Sequence, residues 1–87
     1  EMNTRERELV EEWQEEILGL CPQATLGKTY RTPDGQIRLE VTVPTFDDYV
    51  RVHENMAQRG IELLTSEGVW MGISVFALDE MPAPVAA

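Results

Sequence analysis

Thiol, imidazole and basic groups are all scarce in this 87-residue chain. It has one cysteine, Cys21, and one histidine, His53. A single thiol rules out an internal disulfide framework and fits a reducing compartment. A single imidazole leaves no paired His or Cys spacing from which a metal site is built. Lys and Arg number seven against sixteen Asp and Glu, a net charge of −9. Affinity for a phosphate backbone comes from clustered cations, so nucleic acid is not an expected partner. No apolar run approaches the ~20 residues of a membrane span, and no signal peptide precedes the first helix, so no membrane is expected and the expected location is cytoplasmic.

Catalytic signatures are missing as well. The sequence contains no Gly-x-Ser-x-Gly, no Walker loop and no Gly-x-Gly-x-x-Gly. Cys21 follows a helix carboxyl end beside an acidic surface, the wrong electrostatic setting for a reactive thiolate. No cofactor, no metal and no intrinsic catalysis are therefore expected.

What is present reads as one small domain over 1–78 and a flexible tail over 79–87. Asn3 and Glu6 have capping-box spacing, and Leu9, Val10, Trp13, Ile17 and Leu20 recur at helical intervals. The first helix is placed at about 4–18, with Gly19 as its left-handed stop before Leu20 and Pro22. Ile37, Leu39, Val41 and Val43 alternate with polar residues, as in a half-buried strand. The preceding "TPDGQ" supplies Pro33 and Gly35 for a three-residue hairpin turn. That turn sets Lys28 opposite Glu40 and Tyr30 opposite Arg38, and it places Leu26 and Tyr30 away from Leu39 and Val43.

Pro44 ends the strand, and Thr45 opens a second helix with Phe46, Tyr49, Val50, His53, Met56 and Ala57 as its buried stripe. Gly60-Ile61 mirrors Gly19-Leu20, so the helix is expected to stop there. A strand "IELLTS" and a turn at Glu67-Gly68 then lead into the last strand. The order αββαββ predicts a two-layer α+β sandwich, a four-stranded antiparallel sheet with two helices on one face. The repeat at an offset of 41 residues is compatible with internal duplication.

The last strand, "GVWMGISVFAL", is apolar on both flanks. With Val69, Met71, Ile73, Val75 and Ala77 toward the helices, Trp70, Phe76 and Leu78 are left on the other side. Leu64, Leu26 and Tyr30 join that face in the preferred register. Such a surface suits a protein partner. The expected function is a small acidic protein-interaction module, homodimeric through the sheet face opposite the helices. A second reading is a small-molecule-binding or enzymatic domain with a pocket at the dimer seam, where His53 is the candidate acid–base group. Glu8, Glu12 and Glu16, with Glu11 and Glu15, stack at i, i+4 on the first helix. Like charges at that spacing are mildly destabilising, and they offer a docking face to a basic protein.

Overall fold

The computed structural model describes residues 2–80. Its elements are α1 (Thr4–Leu20), β1 (Thr25–Arg31), β2 (Ile37–Val43), α2 (Phe46–Glu67) and β3 (Met71–Ala77), followed by one 3-10 turn at Leu78–Glu80. The strands form a single sheet in the order β1-β2-β3. β1 pairs antiparallel with β2, and β2 pairs parallel with β3. The fold is α+β, but the sheet is three-stranded and mixed, not four-stranded and antiparallel. Apart from its first two residues, which lie in the 3-10 turn, the expected tail over 79–87 lies outside the described residues.

The missing strand is the "IELLTS" segment, which is helical. Gly60 does not stop α2. Its backbone lies against β3, where a Cβ would stand 3.0 Å from the Met71 carbonyl oxygen and 3.6 Å from Trp13 Cη2. The glycine serves helix-to-strand approach, so the helix runs on for nearly two more turns. The actual stop is Gly68, left-handed at φ 70°, whose N–H donates to the Leu64 carbonyl. Gly19 is likewise helical, and α1 ends at Cys21, whose N–H donates to the Ile17 carbonyl. With no second hairpin, the two halves are not repeats of one unit. A parallel pairing needs a crossover, and α2 is that crossover.

Other local expectations hold. The Asn3 carboxamide accepts from the Glu6 N–H at 2.8 Å, and the Asn3 N–H donates to the Glu6 carboxylate at 3.0 Å. This closes the capping box and supplies two of the helix's orphan donors with partners. Gly35 takes a φ of 99°, and the Thr32 N–H donates to the Gln36 carbonyl at 2.8 Å, closing the hairpin.

The register begins as expected, with Arg31 opposite Ile37 and Tyr30 opposite Arg38. It then slips between Thr29 and Leu26, so that Leu26 faces Val41 and not Thr42. Gly27 and Lys28 together span Glu40, and a Cβ on Gly27 would lie 3.1 Å from Glu40 Cβ. One extra residue flips everything beyond it to the other face. Leu26 is therefore packed against the core and does not share the open face with Tyr30.

The core lies between the sheet and both helices. Ile37, Leu39, Val41 and Val43 of β2 are all buried, as are Leu9, Val10, Trp13 and Ile17 of α1. From α2 the buried residues are Val52, Met56 and Leu63. This differs from the expected stripe: Met56 belongs to it, but Phe46, His53 and Ala57 are exposed, and Tyr49 and Val50 are half-buried.

Candidate functional site

On β3 the alternation follows the parity read from the sequence. Met71 and Ala77 are buried toward the helices, and Phe76 is 53% exposed. Gly72 and Ser74 share Phe76's face, opposite Arg38 and Glu40 of β2. Tyr30, 39% exposed, lies on that face at the far strand. The two rings are thus separated by Arg38, Glu40, Thr42 and Ser74, and the open face is polar in its middle.

Gly72 leaves room that the chain fills itself. A Cβ there would stand 2.5 Å from Gln36 Nε2 and 3.4 Å from Arg38 Nη1, because both side chains cross the sheet at this point. Arg38 Nη1 then donates to the Ile73 carbonyl at 3.0 Å. Since the Ile37 N–H donates to the Trp70 carbonyl at 2.9 Å, the even-numbered residues of β3 bond to β2. The odd-numbered ones present their backbone groups outward. Arg38 caps one of those outward carbonyls, and Gly60 of α2 lies against another, that of Met71. A cation on a sheet edge disfavours strand addition. The first half of the β3 edge is guarded.

Exposed apolar surface gathers beside that guarded edge. A groove of about 280 Å³ runs between α2 and the start of β3, lined by Ala57, Ile61 and Leu64 on one wall and Trp70 and Ile73 on the other. Ile61 is 62% exposed, Leu64 49% and Trp70 43%. Leu64 lines the same groove as Trp70, but it does so from α2 and not from a strand on the open sheet face. Leu78, also exposed, lies in the 3-10 turn beyond the far end of β3.

His53 lines the same groove, with its ring stacked 5.5 Å from Tyr49, which stacks 5.6 Å from Phe46. Gln36 and Arg38 supply the groove's other polar groups. No cluster of His, Cys, Asp or Glu able to hold a metal ion occurs among the described residues. Cys21 is buried. No helix among the described residues is long and apolar enough to cross a membrane.

The acidic face of α1 is partly neutralised from within. Arg5 grips Glu67 through Nε at 3.0 Å and Nη2 at 2.7 Å, and it also reaches Glu8 and Glu12. Arg59 of α2 bonds Glu16 at 2.9 Å. The hydrogen bonds from Arg5 hold the Glu67 carboxyl below its usual range, and the bond that Arg59 donates to Glu16 raises the Arg59 guanidinium. Three of the five stacked carboxylates thus have internal cations. Glu11 and Glu15 remain exposed, with no ion pair among the described residues.

The sequence reading missed the length of α2's exposed stripe. Phe46, Val50, His53, Ala57, Ile61 and Leu64 follow one another at three- and four-residue intervals. The signal was there, but ending the helix at Gly60 cut it in two. Comparison with family models, curated proteins and solved structures gives no match, so the functional reading rests on this chain's own geometry.

Proposed function

We propose that this chain is a small acidic protein-interaction module that pairs with a second copy of itself through the apolar surface around Trp70. The observation that carries the reading is the exposure of Ile61, Leu64 and Trp70 side by side along one groove. Exposed apolar residues scattered singly are ordinary; contiguous ones mark contact surfaces. Covering a Trp contributes about 2–3 kcal/mol of transfer free energy before association costs. The polar middle of the open sheet face moves the expected contact from that face toward the α2 flank. Trp70 stands where the two meet.

A ligand-binding or enzymatic reading has His53 and Arg38 in the same groove in its favour. At about 280 Å³ the groove lies at the bottom of the ~300–1,000 Å³ typical of ligand sites, and Arg38 already serves the Ile73 carbonyl. The interaction reading therefore takes precedence. The proposal places the module in the cytoplasm, where the lone Cys21 thiol suits a reducing environment.

Sedimentation of the wild type at tens of micromolar beside Trp70→Ser tests the reading. The wild type is expected to run as a dimer and the variant as a folded monomer, with a melting midpoint within a few degrees of the wild type. A wild type that stays monomeric at those concentrations refutes it.

A further inference from the structure

We propose that the second copy docks helix on helix, α2 against α2 in antiparallel orientation, with the two-fold axis beside Ala57. This rests on the self-association just proposed and specifies its geometry.

The apolar arc of α2 is about twice as wide as the fold uses. Val52, Met56 and Leu63 point into the core. At 3.6 residues per turn, Phe46, Val50, His53, Ala57, Ile61 and Leu64 fill the neighbouring arc, turned sideways from the core. Intervals of three and four residues keep these side chains on one stripe, the kind of face a helix presents to another helix. It is left largely open: Phe46, His53, Ala57, Ile61 and Leu64 are exposed and Val50 is half-buried, and the start of β3 borders it only as the other wall of the groove.

The order of residues along this seam identifies the occupant. Val50 and Leu64 lie equally far on either side of Ala57, and so do His53 and Ile61. Antiparallel pairing about Ala57 therefore sets Val50 on the partner's Leu64 and His53 on the partner's Ile61. The small Ala57 meets its own counterpart where the two backbones come closest. A surface that matches itself under a two-fold rotation is what a homodimer requires.

Charge is compatible with this docking in spite of the net −9. Glu67, on the side of the seam toward α1, is held by Arg5; the acids bordering the other side are Asp47 and Glu54. In the same pairing they come nearest to the partner's Thr65 and Gln58, so no carboxylate is driven against another. The Arg5 and Arg59 ion pairs lie on the α1 side of the molecule.

The area is also adequate. A 22-residue helix is about 33 Å long. Half-exposed Phe46, Ile61, Leu64 and Trp70 each offer about 100 Å². With the smaller seam residues, the total per copy falls toward the lower end of specific interfaces, where association is weak to moderate.

The experiment compares full-length wild type, Ile61→Glu and Phe76→Ser by sedimentation equilibrium, and examines Ala57→Cys under mild oxidation. Ile61 is exposed and lies on the seam, while Phe76 lies on the open sheet face, so neither change opens the core. Ile61→Glu is expected to weaken dimerisation at least tenfold and Phe76→Ser to leave it within twofold. Ala57→Cys is expected to give a disulfide-linked dimer, because the axis brings the two thiols together, whereas Cys21 is buried. Cross-linking absent in a dimeric Ala57→Cys overturns the α2 geometry. So does a dimer that survives Ile61→Glu or is lost in Phe76→Ser, and each of these results leaves self-association standing. A monomeric wild type overturns both.

Discussion

Trp13→Ala is expected to cost about 3–5 kcal/mol, the range for deleting a buried aromatic ring from a core. Trp13 is 1% exposed, and its ring lies against Gly60 of α2. It joins α1 to α2 over the sheet, so a cavity there would sit between three elements with little freedom to collapse. A domain of this size has total stability near the lower end of about 5–15 kcal/mol. The variant should therefore be only marginally folded at 25 °C. Urea unfolding followed by circular dichroism measures the loss, and a drop below about 1.5 kcal/mol would mean that the ring is not the keystone described. The other tryptophan makes the internal comparison. Trp70 is 43% exposed, and its replacement by Ser is expected to alter association while sparing the monomer.

Gly60→Val is expected to destabilise by about 2–3 kcal/mol, the upper part of the range for overfilling a packed site. A side chain would ordinarily help a helix, since glycine costs it about 0.5–1 kcal/mol relative to alanine. Here even a Cβ meets the Met71 carbonyl oxygen at 3.0 Å, and that oxygen belongs to the backbone of a strand held by β2. Relief would require α2 and β3 to separate, and the burial of Met56 and Met71 opposes that separation. The same substitution at Gly19, where a Cβ would find nothing within 4 Å, is expected to be neutral within about 0.5 kcal/mol. Thermal melts of the two variants decide the matter. Equal effects at both positions would refute the close-approach account of Gly60.

That pair of glycines also explains how far the sequence could be read. In one dimension they look alike: each follows an amphipathic helix and precedes a branched or long aliphatic residue. What separates them is a strand that approaches only Gly60, and tertiary contact leaves no local mark. The false stop turned the end of α2 into a strand and gave the sheet one strand too many. Elements whose signals are local came through intact: the Asn3–Glu6 box, the Pro33–Gly35 turn, and the alternation of Ile37 to Val43. Leu26 was lost to a bulge at Gly27, where the only trace in the sequence is a missing side chain.

The candidate surface was legible in part. Trp70 and Phe76 have the exposure that the parity of β3 demands, and Leu64 neighbours Trp70, though from another layer. Periodicity located an apolar arc on α2 but could not say which half of it faces the sheet. The stripe read from the sequence therefore includes Phe46, His53 and Ala57, which lie beside the core and not in it. Physical patterning says that a residue wants cover; it does not say whether the cover comes from the same chain.

The pairing of β2 with β3 across α2 also bears on the order of folding. The β1–β2 hairpin closes over a short turn, whereas β3 can join only after a loop containing all of α2 has closed. Loop closure is an entropic cost incurred before the bonds it permits. Until that moment the eleven residues from Gly68 to Leu78, which carry no charge, lie open in a partly formed chain, where such a segment is prone to aggregate. Pulse-labelled hydrogen exchange should find the hairpin amides protected before those of β3, and simultaneous protection would contradict that order.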